Sequence, residues 1–174
     1  MSIQPSFKLY GRKAAAALVA SSALFITACS DNDSSNSTAC NGTITEITSC
    51  DTNFETLYAA VDAAGLGETL NGGDFTVFAP TDAAFDELFT SLGVTPAQFL
   101  ERDDLADILT YHVLSGSVEA SAAISLAGMA NNTATTVETS TVTLSLNGDN
   151  LFVNRSQVTT ADVQAENGII HAID

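Results

Sequence analysis

Two histidines, three cysteines and 21 aspartates and glutamates are the side chains with which this 174-residue chain could do chemistry. Acyl transfer needs a nucleophile held beside a base, and the abrupt strand-to-helix change in "TVFAPTDAAF", residues 76–85, has the outline of a nucleophile elbow. Such an elbow carries Gly-x-Ser-x-Gly, which is absent here. No glycine-rich phosphate loop occurs, and His112 and His171 stand apart from any cysteine pair, which argues against phosphoryl transfer and zinc hydrolysis. The carboxylate pairs Asp86-Glu87 and Asp103-Asp104 are the residue type of glycoside hydrolysis. Helix neighbours point about 100° apart, however, and charge runs of this kind are usually solvated faces. Asp31, Asp33 and Ser35 have the beginning of a calcium-loop spacing, but Asn36 and Gly42 stand where such a loop needs glycine and glutamate. The chain is expected not to be an enzyme and to need neither cofactor nor metal.

The remaining chemistry concerns export and cross-linking. Lys8, Arg12 and Lys13 precede "AAAALVASSALFI", a 13-residue apolar run from Ala14 to Ile26. A bilayer-spanning helix needs about 20 residues, so residues 1–28 are expected to be a signal peptide. The run ends in Ile26-Thr27-Ala28-Cys29, which resembles a bacterial lipobox and makes Cys29 the expected lipidation site. The lipobox favours leucine where Ile26 stands; the alternative is an ordinary signal peptide cut near Ala28. Ser30 after the cysteine resembles lipoproteins sorted to an outer membrane. "SDNDSSNSTA", residues 30–39, is too polar to order itself and reads with Cys29 as a tether over 29–39. In an exported chain Cys40 and Cys50 read as one disulfide closing "CNGTITEITSC". Beyond Cys29 the chain keeps two arginines and no lysine against 21 acidic residues, a net charge of −19. That surface repels phosphate backbones and anionic headgroups, so nucleic acid is not an expected partner and lipid, rather than charge, would hold it to a membrane. Salt screens such self-repulsion over about 8–10 Å, and a saline habitat is one explanation of it.

The elements that must position any site follow from periodicity. In "TNFETLYAAVDAAG" Phe54, Leu57, Tyr58 and Val61 recur at i, i+3, i+4 and i+7, predicting a helix opened by a Thr52–Glu55 capping box and closed by Gly65. "DFTVFA" predicts a strand stopped by Pro80. Thr81 is then the N-cap of a helix carrying Phe85, Leu88, Phe89 and Leu92, with Asp82 placing negative charge on its first turn. Thr95-Pro96 opens a short helix, and "DDLADILTYH", residues 103–112, predicts another with Leu105, Ile108, Leu109 and His112 on one side. From about Thr133 the period changes to two: "TVTLSL", the turn "NGDN" and "LFVN" describe a hairpin, and "QVTTADV" and "IIHAI" supply two more strands. Helices first and antiparallel strands after give an α+β fold.

Three of these segments, in order, resemble the fasciclin (FAS1) domain. "TVFAPTDAAF" is similar to the family's first signature, "NGIIHAID" at 167–174 to its second, and "YHVL" at 111–114 lies where the family's Tyr-His motif does. The resemblance covers about residues 45–174, within a folded domain expected over 40–174. It implies a wedge-shaped β-sandwich of about seven strands with helices packed along one side. It also implies an exported, often anchored, non-catalytic protein of adhesion or matrix contacts, whose partner is a cell-surface or matrix protein or a polysaccharide. The class-different alternative is a periplasmic or secreted binder of a polysaccharide or lipid. By the resemblance Tyr111 and His112, flanked by Leu109 and Leu114, are candidate contact residues. The competing reading has the Tyr-His pair closing a helix from a buried position. Thr81, Asp82, Asn167, Gly168 and His171 are expected to be structural. The family usually continues past its second signature with apolar residues and a proline, so the last strand is expected to be short or cut.

Overall fold

The computed structural model describes residues 40–174; the expected signal peptide, Cys29 and the tether lie outside them. Among the described residues are seven helices and seven strands. The chain runs through α1 (Ile44–Cys50), α2 (Glu55–Ala63), α3 (Gly67–Asn71) and β1 (Phe75–Pro80), then α4 (Asp82–Leu92), α5 (Pro96–Leu100), α6 (Leu105–Tyr111) and β2 (Val113–Ser115). It continues with α7 (Ala120–Ala127), β3 (Thr133–Thr135), β4 (Thr141–Asn147), β5 (Asn150–Val153), β6 (Ser156–Ala165) and β7 (Gly168–Ile173).

The strands form one sheet in the order β2-β1-β7-β6-β5-β4-β3. A bridge between Leu114 and Thr136 draws its two ends together, so the sheet nearly closes on itself. The expected α+β architecture is present, with one correction: the strands are not all antiparallel. β1 pairs parallel with β7 over six residues, from Phe75 opposite Gly168 to Pro80 opposite Ile173. The physical reason is burial on both faces. Val77, Ala79, Ile170 and Ala172 face one apolar core, built with α1 to α6; Phe78 and Ile173 face a second, built with α7, β4 and β5. A strand covered on both sides reads as a continuous apolar run, which is the pattern of parallel pairs. β7 spans the whole of β1.

Helix starts follow their caps. Thr43 and Glu46 form a capping box on α1, Thr95 and Gln98 another on α5 with Pro96 in its first turn, and Thr81 caps α4. α1 ends at Cys50, which is joined to Cys40 as a disulfide with Cα atoms 6.1 Å apart. The expected Thr52–Glu55 box is absent: α2 begins later, with Phe54 at its N-cap and no side-chain cap of its own. Asp82 supplies it from 27 and 26 positions away, accepting from the amides of Glu55 and Thr56 at 3.2 and 2.8 Å. Its own amide donates to the Asn53 carbonyl at 2.9 Å. The first signature is thus a staple between two helix starts, with Thr81 serving one and Asp82 the other. We expect Asp82→Ala to cost about 1–2 kcal/mol, since two helix amides lose a charged acceptor. Urea unfolding checks this; an unchanged midpoint would show that water replaces the carboxylate.

The apolar stripes are less buried than their spacing implies. Tyr58, Leu88 and Leu92 remain 42%, 37% and 54% exposed, because each lies on the outer edge of its helix.

Candidate functional site

α6 ends at Tyr111, and His112 is its C-cap. A helix end leaves carbonyls unsatisfied, and the His112 ring meets one of them: Nδ1–H donates to the Ile108 carbonyl at 2.7 Å. The His112 carbonyl in turn accepts from the Phe78 amide of β1 at 2.9 Å. The ring's bond to the Ile108 carbonyl, which can only accept, fixes Nδ1 as the protonated nitrogen and leaves Nε2 as an acceptor. Burial pushes the imidazole below its ordinary 6.5, opposed by the hydrogen bond to Ile108. A group with a depressed histidine pKa favours the neutral ring when folded, so its contribution to stability is whole above about pH 6.5 and is lost as pH falls from there through the folded value. Wild type should therefore lose more melting temperature than His112→Asn between about pH 7.5 and about pH 5. Equal losses in the two proteins would contradict this.

Tyr111 faces the other way, toward the sheet. Its hydroxyl accepts from Asn154 Nδ2 at 3.0 Å, and its ring stands edge-on to His112 with centroids 5.7 Å apart. Asn154 and Arg155 are the two-residue turn between β5 and β6, which pair at Val153 and Ser156. Asn154 has φ 58°, a left-handed conformation that asparagine tolerates better than most residues. Its backbone amide and side-chain oxygen both bond Thr143, at 2.7 and 2.9 Å, so the turn is clamped to β4 as well as to α6. Between corner and turn lies a cleft of about 240 Å³ lined by Tyr111, His112, Asn154, Arg155 and Ser156 over a floor of Phe78, Val142, Val153 and Ile173.

Leu109 and Leu114 do not line this cleft. They are 6% and 3% exposed, Leu109 in the helix-side core and Leu114 in the opposite one, so they brace the corner from within. The fold brings together Tyr111 and His112 from the residues singled out in the sequence, and adds Asn154 and Arg155 from the turn between β5 and β6.

The second signature lies elsewhere and is spent internally. Asn167 accepts from the Ile44 amide at 2.8 Å and donates to the Leu70 carbonyl at 2.6 Å, while its own carbonyl takes the Phe75 amide at 3.1 Å. His171 is fully buried and stacked on Phe78 at 5.8 Å; its Nε2–H donates to the Val118 carbonyl at 2.8 Å and its Nδ1 accepts from the Asp162 amide at 3.2 Å. Every side-chain nitrogen and oxygen of the two residues already has a partner within the fold. Of the carboxylate pairs, Asp86, Glu87 and Asp103 are exposed, and Asp104 is engaged by Arg102, whose guanidinium holds that carboxyl below its ordinary range. A wider cavity of about 450 Å³ is lined by Asp74, Glu119 and Glu166, but no group of three or more potential ligands could hold a metal ion among the described residues.

Against known proteins, the fasciclin-domain family model matches residues 52–174. Protein sll1483 of Synechocystis is 40% identical over 140 residues, 76% of this chain and 71% of that protein. The cell surface glycolipoprotein MPB83 of Mycobacterium bovis is 35% identical over 114 residues, 63% of this chain and 46% of its own. A FAS1 domain pair from the insect cell adhesion molecule fasciclin I superposes with a TM-score of 0.65 at 19% identity, covering 76% of this chain and 49% of that one, a likeness of fold alone. With its model matched over most of the chain, its two signatures forming the parallel β1–β7 pair and the corners beside it, this protein belongs to the fasciclin domain family.

Proposed function

We propose that the chain is an extracytoplasmic FAS1 domain, anchored through lipid on Cys29, that mediates cell-surface adhesion or matrix recognition through the Tyr111–His112 corner. Family membership carries this reading, because a relative is itself a cell surface glycolipoprotein. The corner supports it: an aromatic pair, half-buried and clamped on two sides, offers a preformed contact that costs little ordering on binding. No helix among the described residues is long and apolar enough to cross a membrane, so the proposed attachment is the acyl chain and the 29–39 tether.

Fractionation of cells producing the full chain tests the anchor. Wild type should sediment with membranes and Cys29→Ser should be released; a wild type found free in the soluble fraction would overturn it. Attachment of those cells to matrix-coated surfaces tests the activity, and displayed protein that holds cells to none of them would replace adhesion by small-ligand binding.

A further inference from the structure

Residues 40–174 contain two arginines and 19 aspartates and glutamates. Arg102 is engaged by Asp104 through two hydrogen bonds, at 2.7 and 2.5 Å. Arg155 makes no ion pair among the described residues, although carboxylates outnumber arginines more than ninefold. It is exposed at the cleft beside Tyr111 and His112, on the turn that Asn154 pins to β4 and α6. The cleft around it keeps unspent polar atoms. The Tyr111 hydroxyl accepts from Asn154 and so still has a hydrogen to donate; His112 Nε2 is an acceptor, because Nδ1–H is committed to Ile108. Ser156 lines the same wall and its hydroxyl has no partner among the described residues. Behind these groups the floor is apolar, and the volume of about 240 Å³ lies below the roughly 300–1,000 Å³ of drug-sized pockets.

One cation, hydroxyl-type donors and an acceptor around an apolar floor of single-ring size define a ligand with a carboxylate, several hydroxyls and one apolar face. We propose that the Tyr111–His112 cleft receives a uronate residue of an acidic polysaccharide, its carboxylate on Arg155 and its hydroxyls on Tyr111, Ser156 and His112; the acidic surface repels such a chain at long range, so the contact is local to Arg155 and forms where salt screens the remaining charge over about 8–10 Å. An aspartate or glutamate side chain from a protein would satisfy Arg155 but leave the other polar atoms unpaired, a loss that discriminates strongly between ligands. Arginine suits a carboxylate better than lysine would, because its planar fork bonds both oxygens. This inference rests on the reading of the corner as a contact site and names its ligand.

Calorimetric titration of the full chain with trigalacturonate, maltotriose and acetate tests it, alongside Arg155→Gln and the attachment of cells displaying each protein. Trigalacturonate should bind at least tenfold more tightly than maltotriose or acetate, and Arg155→Gln should lose at least tenfold in that affinity with an unchanged melting temperature. Absence of trigalacturonate binding, an equal affinity for either control, or an Arg155→Gln variant that binds as wild type would overturn the proposal. Attachment separates the two readings: cells that adhere through the corner without binding trigalacturonate refute the uronate alone, and trigalacturonate binding without attachment to any surface refutes adhesion alone.

Discussion

Replacing Gly168 by alanine is expected to destabilise the domain by about 3–5 kcal/mol, the sum of a left-handed backbone forced on a side chain and a steric clash. Gly168 has φ 147°, which side chains rarely adopt, and a Cβ there would run into the carbonyl oxygen of Phe75. The clash cannot relax by moving either strand end. Phe75 and Gly168 are the first register pair of β1 and β7, and the preceding Asn167 is bonded to α1, to the end of α3 and to Phe75 itself. Against a usual total of about 5–15 kcal/mol the variant should lose more than about 10 °C of melting temperature. Gly148→Ala is the matched control: its φ of 64° is also left-handed, but nothing lies within 4 Å of the added atom. It should cost only about 1 kcal/mol. Equal melting temperatures for the two variants would show that the β1–β7 contact can open without penalty.

His171→Leu should have an effect of similar size, about 3–5 kcal/mol in urea unfolding. The substitution keeps an apolar side chain against Phe78 but takes from the part-buried Val118 carbonyl and Asp162 amide the ring partners that the fully buried His171 provides. Asp162 sits in the irregularity between Thr160 and Val163, at φ 58°, and its carboxylate holds the Ala120 amide at the start of α7. The buried ring thus ties β7, a bulge of β6 and the approach to α7 into one unit. A neutral or stabilising leucine would mean that these hydrogen bonds add nothing over apolar packing, as can happen when buried polar networks are replaced.

These two positions also show how far the chain can be read without its structure. Caps and turns that act within four residues were legible: Thr81 on α4, Thr95 and Pro96 on α5, and the Gly148–Asp149 turn between β4 and β5. α1 and α7 were not, because "ITEITSC" and "ASAAISLA" are short and rich in threonine, serine and alanine, which blur the helical period. The parallel pairing of β1 with β7 joins segments 93 positions apart, and no local pattern encodes a partner at that distance. The same limit hid the service of Asp82 to α2. At the candidate site Tyr111 and His112 were legible only through a family resemblance. Arg155 drew no attention because a two-residue turn carries no periodicity, and its meaning comes from what the fold leaves unpaired around it.

The proposed function divides the molecule in two: it assigns both signatures to the scaffold and recognition to the corner of Tyr111 and His112 with its neighbouring turn. The most direct measurement is attachment per folded molecule, with melting temperature, for cells displaying wild type, Tyr111→Phe, Arg155→Gln and Asp82→Ala. Tyr111→Phe and Arg155→Gln are expected to lose attachment, with Arg155→Gln melting within about 2 °C of wild type, the usual range of surface substitutions, and Tyr111→Phe within about 5 °C, having lost one half-buried hydrogen bond. Asp82→Ala should melt earlier and attach normally per folded molecule. Loss of attachment in folded Asp82→Ala, with full attachment by both corner variants, would contradict it and move the recognition surface to the first signature.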